Sequence, residues 1–294
     1  MILLKNEVKR FRKEKKLSQA ELSEGICTQV TISKMENHGN IPTMRILMNI
    51  CERLDIDIDQ IIINDTDNNK YYNILKKVDE LVTKMNHCEA YKYLTTNIPK
   101  EEAEELEAND KRKYCYYLGY LLTLVEKDYE NANFYLGRAN TILPGKEDMM
   151  EVLIKSAQGI MYAEQNDLIK AERYFELAVE GLNEIDKEKE WDKAVKIYFN
   201  AAKLYSDLKK YKMAIELSRA GLDILISKGS LYMYDLLNYE LGYNIHYNGG
   251  DKKIVTQHFF ISMAEATVNK NKELISKLKK NAKEFDLNFD FYNL

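Results

Sequence analysis

Chain breakers are scarce: three prolines and twelve glycines occur in 294 residues. That excludes a fold built on many tight turns and sheet edges, and abundant Leu, Lys, Glu and Ala point to a nearly all-α protein. The four cysteines, Cys27, Cys51, Cys88 and Cys115, are far apart and form no CxxC or Cys/His cluster. A zinc site is therefore not expected, and dispersed reduced thiols suit the cytoplasm. Histidines number four and are scattered, and no P-loop, GxSxG or HExxH occurs. Neither an enzyme nor a cofactor is expected. No apolar run approaches the roughly 18 residues that read as a membrane span, so no membrane partner is implied. The first sixteen residues carry charge from Lys5 onward and lack the apolar core of a secretion signal.

What is present is an ordinary globular balance, 45% hydrophobic and 31% charged residues, which excludes a disordered chain. The net charge of −4 conceals an uneven distribution. Residues 1–34 hold eight basic and four acidic side chains, while Glu52, Asp55, Asp57 and Asp59 begin the acidic remainder. A locally basic end is compatible with phosphate contact, because the attraction acts within about a Debye length, near 10 Å.

Within residues 1–63, Leu4, Val8 and Phe11 recur at helical spacing and predict a helix ending near Lys16. SQAE then sets Ser18 and Glu21 as a capping box for a second helix, with Leu22 inward and Gly25 as the break. Thr28 caps a third, QVTISKMEN, whose Ile32 and Met35 face inward. A fourth follows Pro42-Thr43, burying Ile46, Leu47, Ile50, Cys51 and Leu54; Ile58, Ile61 and Ile62 are expected to close a fifth.

Five short helices, with LSQAELS, TISKME and the proline that follows, resemble the lambda-repressor-like (XRE-type) helix-turn-helix. With Ile32 and Met35 committed to the core, Gln29, Val30, Ser33 and Lys34 occupy the remaining faces of the third helix. The N-terminal residues of a recognition helix are those that reach base edges. Gln29 suits adenine, Val30 a thymine methyl, and Lys34 guanine or a phosphate. Thr28 and Thr31 are candidates for phosphate contact beside a helix N-terminus. The resemblance implies that Gln19 clamps a phosphate and that Arg12 and Glu36 form an internal ion pair. A small helical bundle with no DNA role is the plainer alternative.

NDTDNN, 64–69, reads as the core of a linker over 64–70, leaving 71–294 as a second domain. There Gly119, Gly159, Ala202 and Gly242 recur at intervals of 40, 43 and 40 residues, each near a tyrosine. Further small residues follow at Ala132, Ala171 and Ala214, then at Ala139, Ala178 and Gly221, with Leu136 and Phe175 between. Pro144 ends the first unit, the unit after Gly242 reads as degenerate, and 270–294 reads as a capping helix with an aromatic tail. About five helix pairs and a cap are expected, the first being a half-recognisable pair over 71–98.

The offsets resemble tetratricopeptide (TPR) repeats, which implies an all-α, right-handed superhelix behind the helix-turn-helix, concave along the first helix of each pair. Positions counted from each small residue place Tyr116, Tyr120, Thr123, Ser156, Ile160, Ala163, Phe199, Lys203, Ser206, Tyr239, Tyr243 and His246 on that face. Aromatic residues mixed with hydrogen-bonding groups suit an extended peptide. Since the chain has 21 tyrosines, the same stripe is equally read as repeat packing.

The combination resembles the PlcR/Rgg-type, peptide-sensing RRNPP regulators of Gram-positive bacteria. That resemblance implies a transcriptional regulator acting as a homodimer on a palindromic site in double-stranded DNA, controlled by a short signalling peptide. It implies further that Asn200 hydrogen-bonds the peptide backbone, and that a second asparagine should lie one repeat earlier, where Ile160 stands. The competing reading keeps the DNA-binding domain and makes the repeat surface a dock for another protein.

Overall fold

The structure, a computed structural model, describes residues 2–63, 70–143, 145 and 148–287. The expected linker core 64–69, Pro144 and the end of the aromatic tail from 288 lie outside the described residues. The chain divides into two compact units, Met1–Glu80 and Leu81–Leu294. Among the described residues no helix is long and apolar enough to cross a membrane.

The first unit contains α1 (Lys5–Glu14), α2 (Gln19–Ser23), α3 (Gln29–His38) and α4 (Met44–Leu54). The sequence signals act as expected at the starts of α2 and α3. Ser18 and Glu21 form a reciprocal capping box, and Thr28 accepts from the Thr31 amide. Val8, Leu22, Ile32, Met35, Leu47, Ile50, Leu54 and Ile61 form one core. The expected fifth helix is replaced by a single 3₁₀ turn, Ile58–Gln60, followed by a two-residue strand. That strand, β2 (Ile62–Ile63), pairs antiparallel with β1 (Ile2–Leu3), and the Leu4 amide donates to the Ile61 carbonyl at 2.8 Å. Isoleucines suit an extended ladder as well as a helix, and the chain's beginning supplies the partner strand.

Helix α5 (Lys70–Thr83) contains the division between the units. The second unit then runs α6 (His87–Asn97), α7 (Lys100–Glu104), α8 (Ala108–Leu121), α9 (Tyr129–Thr141), α10 (Met149–Glu164) and α11 (Leu168–Glu184). It continues with α12 (Trp191–Asp207), α13 (Tyr211–Lys228), α14 (Tyr234–Tyr247), α15 (Lys252–Val268) and α16 (Lys272–Glu284). Four antiparallel pairs, α8/α9, α10/α11, α12/α13 and α14/α15, stack so that α8, α10, α12 and α14 adjoin in turn. These are TPR-like repeats, and the marker residues explain the packing. A Cβ at Gly119 would meet Leu136 Cγ at 2.8 Å, and one at Gly159 would meet Phe175 Cδ2 at 2.8 Å.

The last pair corrects the expectation of a degenerate unit after Gly242. A Cβ there would meet Phe259 Cδ2 at 2.8 Å, the same approach as in the earlier pairs. The sequence pattern hid this regularity because Val255 stands where the earlier units carry the small residues Ala132, Ala171 and Ala214. Helix α16 then covers α15 and extends the terminal core through Leu274, Leu278 and Ala282.

Candidate nucleic-acid interface and ligand groove

Helix α3 is held from behind by a buried charge cluster. Arg12 donates to both Glu36 oxygens, at 2.6 and 2.8 Å, and to the Leu17 carbonyl at 2.7 Å. Burial pushes the Glu36 carboxyl up, but hydrogen bonds from Arg12 and Gln19 outweigh it and hold the group below its ordinary value. The expected ion pair is therefore present and structural. Gln19 also belongs to it: its amide donates to Glu36 Oε2 at 2.9 Å, which fixes its side chain against α3.

The opposite side of α3 is open. Gln29, Val30 and Lys34 are exposed, Val30 at 60%, and Thr28 is exposed at the cap. Thr28 and Thr31 bond to each other through their hydroxyls at 3.0 Å, while Ser33 accepts from Asn37 at 3.1 Å. Thus Gln29, Val30 and Lys34 stand clear of the core at the start and middle of the helix. Arg53, not anticipated from the sequence, donates to the carbonyls of Glu21, Leu22 and Glu24. It satisfies the free carbonyls at the end of α2 and so fixes the turn into α3.

In the second unit, a cavity of about 310 Å³ is lined by Tyr120, Ile160, Ala163, Phe199, Asn200 and Lys203 from the inner helices. Met85, His87, Lys196 and Asp207 complete much of its wall. Asn200 is half-buried there, with Ile160 at the position where a second asparagine was implied. Lys196 lies one turn before Asn200 with its ammonium 5.0 Å from the Tyr120 ring centre. His87 packs edge-on against Tyr120, and its Nε2 is buried without a hydrogen-bond partner. Burial, with a contribution from Lys196, lowers the His87 pKa to about 4, so the imidazole is neutral at neutral pH.

A second cavity of about 560 Å³ shares Lys203 and Asp207 with the first and is lined also by Tyr211, Tyr239, Glu240, Tyr243, Tyr247 and Lys277. The two adjoin at Lys203 and Asp207 of α12, forming a groove walled by α8 and α10 on one side of α12 and by α14 on the other. Four of the expected groove residues lie off it. Tyr116 is 5% exposed and stacks on Tyr120 as part of the repeat core. His246 stacks on Phe285 with ring centres 3.6 Å apart, beneath the end of α16. Thr123 and Ser156 are likewise buried. Lys196 was legible as the residue one turn before Asn200, whereas His87 comes from a helix over a hundred residues earlier and left no local signal.

Residues 8–61 match the helix-turn-helix family HTH_3. No curated protein matches the chain by sequence. The whole chain shares its fold with Bacillus thuringiensis PlcR in complex with the peptide PapR7 and DNA, with a TM-score of 0.76 and 22% identity over 95% of this chain and 99% of that one. ComR from S. thermophilus, in complex with DNA and its signalling peptide ComS, matches with a TM-score of 0.61 and 12% identity over 97% and 100% of the two chains. The Streptococcus dysgalactiae SHP pheromone receptor Rgg2 matches with a TM-score of 0.56 and 14% identity over 96% and 99%. At these identities the likeness is one of fold.

Proposed function

We propose that this protein is a transcriptional regulator that binds double-stranded DNA through α3 and is controlled by a short signalling peptide in the groove centred on α12. The observation that carries the DNA-binding half is the division of α3: Ile32, Met35 and Glu36 are locked inside, while Gln29, Val30 and Lys34 are exposed. A helix fixed on one side and bare at its N-terminal end suits insertion in a major groove. Gln29 is assigned to adenine, Val30 to a thymine methyl, and Lys34 to guanine or a phosphate. Thr28, Thr31 and Gln19 contact phosphates, Gln19 while held against α3 by its hydrogen bond to Glu36, and Ser33 faces the DNA beside them.

For the sensing half, Asn200 offers a donor and an acceptor inside a mostly apolar cavity, which suits a peptide backbone whatever the side chains. Solved proteins of the same fold are described with signalling peptides and DNA, which supports the same pairing here. The active species is a homodimer reading a palindromic operator. Control requires that the peptide bind one conformational state more tightly than another.

Selection of binding sites from random duplex DNA by the full-length chain, followed by footprinting, tests the first half. Recovery of a palindromic site protected by the native chain but not by Gln29→Ala/Lys34→Ala is expected. Equal protection by the folded double variant would remove α3 as the reading helix.

A further inference from the structure

The 560 Å³ cavity contains a feature that peptide-backbone recognition leaves unused. Glu240 lies in its wall and is only 7% exposed. Its carboxylate has one hydrogen-bond contact, from Asn244 Nδ2 at 3.4 Å. Among the described residues no cation lies within ion-pair distance of it. Lys277 is held by Glu273 at 2.8 Å, and Lys203 and Lys209 are exposed. Asn244 itself is fully buried and its Oδ1 has no partner. A buried carboxylate without a counter-charge is costly, and one that opens on a cavity is relieved by a cation entering from the cavity side.

The walls suit such a group. Tyr239 and Tyr243 lie with ring centres 5.9 Å apart, and Tyr243 and Tyr247 4.8 Å apart, along one face of α14 beside Glu240. Tyrosine ring faces attract ammonium and guanidinium groups. Asp207 adds a second carboxylate from α12. The exposed lysines make the cavity's lining positive overall, which repels a free small cation. A cationic group is therefore received when the rest of its molecule is anchored in the adjoining cavity around Asn200, which shares Lys203 and Asp207.

We propose that Glu240, flanked by Tyr239 and Tyr243, forms a cation subsite of the groove, which takes a basic side chain or the free amino terminus of the bound peptide. This rests on the peptide reading of the groove and adds to it the charge of the ligand and the residue that selects it.

The test uses the full-length chain and a defined library of synthetic heptapeptides in matched sets, with arginine or citrulline at each position and a free or acetylated amino terminus. Captured peptides are identified by mass spectrometry. At least tenfold enrichment of one cationic form over its neutral match is expected on the native chain. Glu240→Gln, similar in shape and checked for fold by circular dichroism, is expected to abolish the preference while still capturing peptides. Peptides captured without a charge preference, or with one that survives in Glu240→Gln, would overturn the cation subsite and leave the peptide groove standing. If no peptide is captured, the peptide reading fails, and the subsite that rests on it fails with it.

Discussion

Phe175 rests on Gly159 so closely that a methyl group on the glycine would lie 2.8 Å from ring carbon Cδ2. This contact sets the approach of α10 and α11, and the same geometry recurs at Gly119 with Leu136 and at Gly242 with Phe259. Gly159→Ala is expected to destabilise the second unit by about 1–3 kcal/mol, because overpacking a full core forces strain. Gly137, where an added Cβ meets nothing within 4 Å, is the control. Gly137→Ala is expected to stabilise by about 0.5–1 kcal/mol through helix propensity. Thermal unfolding of the two variants checks the pair; equal effects would refute the close-approach account.

Glu36→Gln removes a buried partner of Arg12 and is expected to cost about 3 kcal/mol, since the guanidinium is left buried and uncompensated. The Glu36 carboxyl is held below its unfolded value, so its contribution is present above that value and is lost as pH falls through the folded one. The stability gap between native and variant chains should accordingly be full at neutral pH and shrink in acid. Urea unfolding at several pH values measures it.

Glu240 has the opposite sign. Burial is the main cause that raises its pKa to about 7, with Asp207 adding to it and Lys203, Lys277 and Asn244 opposing. Between its unfolded value and about 7 the folded chain holds a proton that the unfolded chain has lost, so stability falls as pH rises through this window. Glu240→Gln does not titrate. It is expected to gain about 1–3 kcal/mol relative to the native chain on going from mildly acidic to mildly alkaline solution. A pH-independent difference in melting temperature would show that the carboxyl is not held protonated.

Asn200→Ala truncates a half-buried amide in the groove while leaving the packed side of α12, with Ala201, Ala202 and Tyr205, untouched. Loss of one or two backbone hydrogen bonds to a peptide corresponds to a roughly tenfold or greater weakening of binding, with little change in thermal stability. Calorimetry with any peptide captured by the native chain provides the measurement. Unchanged affinity would place the peptide elsewhere.

Much of the architecture is determined by the sequence alone. Sparse breakers and periodic apolar residues specify helices. Ser18 with Glu21, and Thr28, start α2 and α3 because their side chains satisfy amides only a few residues away. Gly119, Gly159 and Gly242 mark the repeats because helix crossing depends on the absence of a side chain at one local position. What tertiary structure decided involves partners distant in the chain. Ile62 and Ile63 became a strand because β1 was available to pair with them. Tyr116 and His246, read from spacing alone as facing the groove, are taken up by Tyr120 and Phe285. Gln19, assigned by resemblance to a phosphate, is steadied by a hydrogen bond to Glu36, seventeen residues on, that no local spacing marks. The groove itself depends on His87, brought from α6 to the face of α12, and on Glu240, whose burial among α12, α14 and α16 alters its acidity. Local spacing places a residue on a helix face; only packing determines whether that face meets solvent, a neighbouring helix or a ligand.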